Sequence, residues 1–221
     1  ELIERAVDVS MGPKQLATYK SLVKHCYAKF LAKEITAANA GVVMNKLLQV
    51  ATGWVYASDK TVAALDNGAR LDVMLELIDA TNHKVLVFVP FKHALDGISK
   101  VLNEENIEHA VVSGDTPAGA RSDIFSAFQN TTKYKVLAAH PQCLAHGITL
   151  TAADTIIWFG PTTSLEIYEQ ANARIRRIGQ KHKQQVFKLQ GTPVEKKIYR
   201  LLSDHQAVQD RLLELFEDAS E

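Results

Sequence analysis

The sequence predicts an α/β fold, a parallel sheet covered by helices on both faces, with a helical region ahead of it. Three observations predict it. From about residue 70 onward, short apolar runs alternate with segments of helical periodicity. The strongest run, Lys84-Val-Leu-Val-Phe-Val89, is continuously apolar and bounded by Asn82 and Pro90, as a strand buried on both faces requires. Earlier, Leu16, Tyr19, Leu22, Val23, Cys26 and Phe30 recur at helical spacing.

Taken in order, the first quarter of the chain is expected to be helical. A second helix runs from Ala37 to about Gln49 and carries Val42, Val43, Leu47 and Leu48. Gly53 and Asp66-Asn-Gly68 mark a loop and a boundary, dividing a helical region, 1–66, from an α/β unit, 67–221. Leu71 to Ile78 is an amphipathic helix, followed by the Lys84 strand and a helix from Phe91 to Asn103. Strand His109–Val112, helix Pro117–Gln129, strand Lys135–Ala139 and strand Thr155–Phe159 come next, then a helix Ser164–Ile178 and a strand Val186–Gln190. The last helix opens with Thr192-Pro-Val-Glu195, where Thr192 is the cap, Pro193 suits the first turn and Glu195 completes a capping box.

In open parallel sheets, ligands collect at the carboxyl ends of the strands. The loops there are Phe91-Lys-His93, Ser113-Gly-Asp115, His140-Pro-Gln142, Gly160-Pro-Thr-Thr163 and Gly191-Thr192, rich in small, polar and basic residues. Ordinary turn chemistry also produces such residues. The stretch Gln170 to Gln180, QANARIRRIGQ, is more pointed. In a helix it sets Gln170, Arg174 and Arg177 on one face and Tyr168, Ala171, Ile175 and Ile178 on another. One stripe packs on a core; the other presents two guanidinium groups toward a cleft. Paired Arg forks match a polyanion, most simply a triphosphate. The competing reading is a solvated basic face. Against it, Arg174 and Arg177 flank an apolar Ile175, Gly179 follows as a helix stop, and a buried strand comes next.

Lys and Arg total 25 and Asp and Glu total 25, so the chain as a whole is not a polycation that coats nucleic acid. Locally the balance shifts, with nine Lys or Arg between Gln170 and Arg200 against Glu195 alone, offset by the acidic stretch Glu214 to Glu221. Cys26 and Cys143 are far apart and suit a reducing compartment rather than a disulfide framework. His140 and His146 have no partner at zinc-like spacing, so no metal site is expected. The apolar runs are too short to span a bilayer, and no signal-peptide pattern appears. A first residue of Glu rather than Met hints at a piece of a longer chain. A complete nucleoside triphosphatase of this kind needs a G-x-x-x-x-G-K-[ST] loop and acids for magnesium, and neither occurs. Arginines for phosphate without a phosphate loop are expected of one half of a bipartite site.

These residues resemble a known family. Gln170 to Gln180 resembles motif VI of the SWI/SNF-type ATPases in helicase superfamily two, and Gly147-Ile-Thr-Leu-Thr-Ala-Ala-Asp154 resembles their motif V. Lys84 to Lys92 resembles motif IV, and Ser113-Gly-Asp-Thr116 with Arg121 and Phe128 is similar to the block after it. Gly191-Thr-Pro-Val-Glu195 with Ile198 resembles the lead into the closing helix, so the likeness runs from about Arg70 to Leu202. The phrasing around His140-Pro and Trp158-Phe-Gly looks closer to bacterial and phage members than to chromatin remodellers.

The resemblance implies the second RecA-like lobe of a P-loop-type motor, a DNA translocase or helicase-like ATPase. ATP with magnesium would sit between this lobe and an N-terminal RecA-like lobe of the same parent chain, which would hold the metal. Arg174 and Arg177 would act as arginine fingers, with Gln170, Gly147 and Asp154 near the nucleotide. Phe91, Lys92, Ser113, Gly114, His140 and Thr163 would touch DNA, expected to be duplex, through its backbone. The isolated piece is expected to be inactive, and a bacterial or phage-infected cytoplasm, at the nucleoid, is the expected location. The chain departs from the pattern at Thr149, where Asn is usual, at Ala145 (Gly), at Ala173 (an acid) and at Thr163 (an aromatic). These bear on the coupling geometry and leave the two arginines in place. Two alternatives stand beside this reading. One is a stand-alone RecA-like module that binds DNA or protein without catalysis. The other is a Rossmann-like enzyme, disfavoured because no G-x-G-x-x-G follows a strand.

Overall fold

The computed structural model describes residues 2–31, 37–56, 61–144 and 147–208, with Arg211 and Leu215. Ala145, His146 and the acidic stretch 214–221 apart from Leu215 lie outside the described residues, as does the side chain of Phe30. The elements run β1 (Leu2–Asp8), α1 (Pro13–Leu31), α2 (Ala37–Thr52), β2 (Trp54–Tyr56), β3 (Val62–Ala64) and α3 (Gly68–Asp79). They continue β4 (Lys84–Phe88), α4 (Lys92–Glu104), β5 (His109–Val112), α5 (Ala118–Asn130) and β6 (Val136–Ala139). After a 3-10 turn (Pro141–Leu144) come β7 (Ala153–Trp158), α6 (Leu165–Asn172), β8 (Gln184–Gln190) and α7 (Pro193–Ser203).

Six strands form one parallel sheet in the order β1-β8-β7-β4-β6-β5. The central strand β4 shows why the continuous apolar run was needed. Its side chains alternate between two cores: Leu86 and Phe88 face one, Val85 and Val87 the other. Met74 and Ile78 of α3 and Leu95, Ile98 and Leu102 of α4 fill the second core. Tyr19, Met44, Phe128, Tyr168 and Ile198, from α1, α2, α5, α6 and α7, fill the first. The outcome is a helix–sheet–helix sandwich, the expected RecA-like architecture with helices on both faces.

Two features correct the expected helical first quarter. Leu2–Asp8 is a strand, paired with β8 along its whole length from Leu2↔Gln184 to Asp8↔Gln190. It is an edge strand whose side chains are mostly exposed or half-buried, so its residue pattern carries no alternation, and its partner lies far along the chain. Trp54–Tyr56 and Val62–Ala64 form a small antiparallel ribbon where only a loop was expected. Trp54 is the reason it stays: its ring packs 5.9 Å from Phe159, and its carbonyl meets buried His93 Nε2 at 2.9 Å.

The closing helix begins as its sequence requires. Thr192 caps α7, accepting a hydrogen bond from Glu195 N at 3.1 Å, and Pro193 opens the first turn. The Glu195 carboxylate reaches back one residue further than a standard capping box, accepting from Gly191 N at 2.8 Å. It also forms a fully buried ion pair with Arg70, whose Nη2 lies 2.8 and 2.9 Å from its two oxygens. Arg70 Nη1 donates to Phe159 O at 2.6 Å, so one guanidinium ties α3, the end of β7 and α7 together.

Candidate functional site

The helix expected over Ser164–Ile178 is shorter. α6 is capped by Ser164, which accepts from Ile167 N at 3.3 Å, and it ends at Asn172. Arg174 and Arg177 therefore lie in a turn, not on a helix face. Long-range hydrogen bonds displace the helical ladder there. Leu150 N donates to Arg174 O at 3.1 Å. Gln180 Nε2 donates to Thr151 O at 3.3 Å, to Ala153 O at 2.8 Å and to Ile175 O at 3.4 Å. The expected apolar stripe breaks with the helix: Tyr168, Ala171 and Ile175 are buried, but Ile178 is fully exposed. Gly179, at φ +104°, ends this turn rather than the helix.

The turn still brings both arginines to one short segment. Arg174 Nη1 donates to Ile148 O at 3.3 Å, while Arg177 Nη1 lies 3.4 Å from both Gly147 O and Thr149 Oγ1. The two are not equivalent. Arg174 is 4% exposed, whereas Arg177 faces solvent. Burial first, and then the neighbouring Arg177 charge, pull Arg174 below the usual guanidinium pKa. Like charges held side by side create a local demand for an anion. Gly147 sits at φ +56°, and among the described residues a Cβ there would meet nothing within 4 Å. Thr149, which departs from the family pattern, contacts the exposed arginine directly. Ala173, another departure, is the residue that terminates α6.

The other residues expected near a nucleotide are engaged elsewhere. Gln170 Nε2 donates to Glu166, one turn back on α6, at 2.9 Å, rather than supporting either arginine. Asp154 is buried near the start of β7, accepts from Thr155 Oγ1 at 2.8 Å and lies 3.9 Å from His83 Nε2. Its carboxylate is thus committed to the β7 start rather than aimed at the arginines. A further correction concerns location. α6 runs back along the sheet, so the arginine turn lies beside the amino end of β7, held through Leu150. The carboxyl rim, where ligands were expected to gather, is at the opposite end.

That rim gathers the remaining candidates. An open depression of about 400 Å³ is lined by Lys92, Gly114, Asp115, Arg121, His140 and Gln142. A smaller one of about 80 Å³ adjoins it through His140 and is lined by Phe91, Thr163 and, from α2, Asn45. Ser113 shapes the first, its N donating to Thr116 Oγ1 at 3.0 Å and its Oγ accepting from Asp115 N at 3.3 Å. Lys92 is ion-paired with Asp115 across the mouth. His140 is turned inward: Nε2 lies 3.1 Å from Pro90 O, and Nδ1 accepts from Gln142 N at 3.3 Å. Burial holds its pKa below the usual 6.5, so it acts as a neutral strut in the rim. Arg121, Gln142 and Asn45 also line these depressions; the sequence places Gln142 in a rim loop but gives none of the three a contact role. Arg121 had a signal, its place in the block after motif IV; Asn45 had none, because only folding carries α2 to the rim.

Comparison with known proteins agrees with this architecture. The model of the helicase conserved C-terminal domain matches residues 69–179. An uncharacterized ATP-dependent helicase of Mycoplasma pneumoniae is 28% identical over 153 residues, covering 67% of this chain and 15% of that protein. The chromatin-remodeling ATPase INO80 of Cryptococcus neoformans is 28% identical over 144 residues, covering 64% of this chain and 8% of that protein. The chain thus spans less than a sixth of these relatives. Bacterial and fungal proteins match at the same identity, so the expected leaning toward bacterial members has only weak support. Among solved structures, the Sulfolobus solfataricus SWI2/SNF2 ATPase core in complex with dsDNA has a TM-score of 0.75 at 24% identity, covering 96% of this chain and 46% of that one. The C-terminal domain of the Sulfolobus solfataricus SWI2/SNF2 ATPase has a TM-score of 0.69 at 22% identity, covering 92% of this chain and 86% of that one. With the family model covering half the chain, the two-core parallel sheet and the motif order, this chain belongs to the helicase conserved C-terminal domain family.

Proposed function

We propose that this chain is the second motor lobe of an ATP-dependent DNA translocase and supplies arginine fingers to ATP held by a preceding RecA-like lobe. The observation that carries the reading is the turn 173–180, which sets exposed Arg177 above buried Arg174 against the Gly147–Thr149 segment. The donor set fits a terminal phosphate. Arg177 offers a solvent-facing fork, and Arg174 adds a second positive charge from beneath, where a buried like-charge neighbour favours an incoming anion. Magnesium would be held by the preceding lobe, which also carries the phosphate loop on this reading.

An arginine finger acts on charge that develops only in the transition state and is worth about 10³ to 10⁵ in rate. The test is Arg177→Ala in the two-lobe parent. Turnover should fall by about that factor, with ATP affinity changed little. Equal losses in both would remove the transition-state role.

DNA would lie on the opposite rim. Lys92 and Arg121 place two cations beside the larger depression, suited to backbone phosphates, which position a protein without reading sequence. The resemblance to a SWI2/SNF2 core solved on double-stranded DNA favours a duplex. The two ligands would then sit at opposite ends of the same strands.

A further inference from the structure

The edge strand β1 is tied to the arginine turn by one side chain. Glu4 Oε1 accepts a hydrogen bond from Arg176 Nη2 at 2.8 Å, and its Oε2 accepts one from Lys188 Nζ at 3.2 Å. Lys188 is 8% exposed and also donates to Ser203 Oγ on α7 at 2.9 Å. The Glu4 side chain is itself only 29% exposed. It therefore forms the corner at which β1, β8, α7 and the turn meet.

Arg176 is the residue between the finger and its neighbour. The turn that carries it has no helical ladder of its own, so its shape depends on outside ties. On one side these are Arg174 to Ile148 and Gln180 to Thr151 and Ala153. On the other is Arg176 to Glu4. A carboxylate that draws Arg176 outward fixes which way the flanking guanidinium groups project.

We propose that Glu4 is a positioning residue: through Arg176 it sets the turn that presents Arg174 and Arg177, and so couples β1 to the arginine pair. Its effect on catalysis rests on the motor reading above; its effect on the turn does not. β1 stands just ahead of α1, where a chain arriving from a first lobe would enter the sheet. Motion of that lobe would then reach the arginines through the strand and this ion pair, a route of packed and charged contacts.

Two measurements test this. In the 221-residue chain, amide hydrogen exchange of residues 173–180 is compared for Glu4→Gln, Arg176→Gln and the double variant. Each single change should speed exchange there by about two- to fivefold, as expected for a partly exposed ion pair, while α3 and α4 stay unchanged. The double variant should be no worse than either single, because both remove the same contact. Unaltered exchange, or effects that add, would overturn the proposal. Arg176→Gln is on the surface and keeps the test intact if Glu4→Gln weakens folding through Lys188. In the two-lobe parent, either single change should lower kcat on the order of tenfold at unchanged KM for ATP. Normal kcat beside a dead Arg177→Ala variant would dismiss the positioning role alone. An active Arg177→Ala variant would dismiss the motor reading, and the exchange result would still decide the tie.

Discussion

Arg174 and Arg177 share one turn but sit in different environments, the first buried and the second facing solvent. Arg174 is buried, so its removal should cost stability as well as rate. Arg174→Ala should lower unfolding free energy by about 1.5–3 kcal/mol, the worth of a buried hydrogen bond from a charged group, whereas Arg177→Ala should lie near zero. Urea unfolding of the two variants checks this. His93 and His140 carry a pH prediction. Burial is the first cause in both, and it holds their native pKa values below the ordinary 6.5. The unfolded chain therefore takes up protons at these positions before the native one does. Their contribution to stability is complete above about pH 6.5 and is lost as pH falls toward the lowered native values. The urea midpoint should drop between pH 7.5 and pH 5 by about the cost of charging both rings. His93→Gln, which can still donate to the Trp54 carbonyl but cannot titrate, should flatten that slope.

At the scale of elements, α7 and α6 show opposite relations between local signal and outcome. Thr192, Pro193 and Glu195 lie within one turn, so the start of α7 was legible from neighbouring residues. The same Glu195 also closes a buried pair with Arg70, 125 residues away, which no local pattern could reveal. Removing one member leaves an uncompensated buried charge. Arg70→Ala and Glu195→Gln should each destabilise the chain by about 3–5 kcal/mol, because either change leaves the other group buried without its counter-charge. Thermal unfolding of the two variants checks this. α6 failed as a long helix because its last residues exchanged i→i+4 hydrogen bonds for contacts with 147–153. At the rim, Lys92→Ala and Arg121→Ala should each weaken DNA binding alike across sequences and reduce the salt slope by about one. Titration of a duplex at several salt concentrations reads this.

At the scale of the whole molecule, one sheet separates two candidate ligand regions: the arginine turn beside the amino end of β7 and the depressions at the carboxyl rim. On the proposed reading, a partner lobe would close on the first and DNA would lie on the second. Alone, this chain should show no DNA-stimulated ATP turnover, and turnover by the pure chain that survives Arg177→Ala would refute the divided site. From α3 onward the order of elements was written in the sequence. Continuous apolar runs mark doubly buried strands, capping residues mark helix starts, and the spacing from Lys84 to Gln180 marks the family. The apolar runs and the caps act between near neighbours in the chain, and the motif spacing is read along it without any tertiary contact. The edge strand β1, the truncation of α6, the inward turn of His140 and the difference between Arg174 and Arg177 were decided only by tertiary structure. Each depends on partners far away in the chain: Gln184–Gln190 for β1, Leu150 for the turn, Pro90 for His140. Local residue preference carries no information about which distant backbone group will arrive to compete for a hydrogen bond, and folding alone settles that competition.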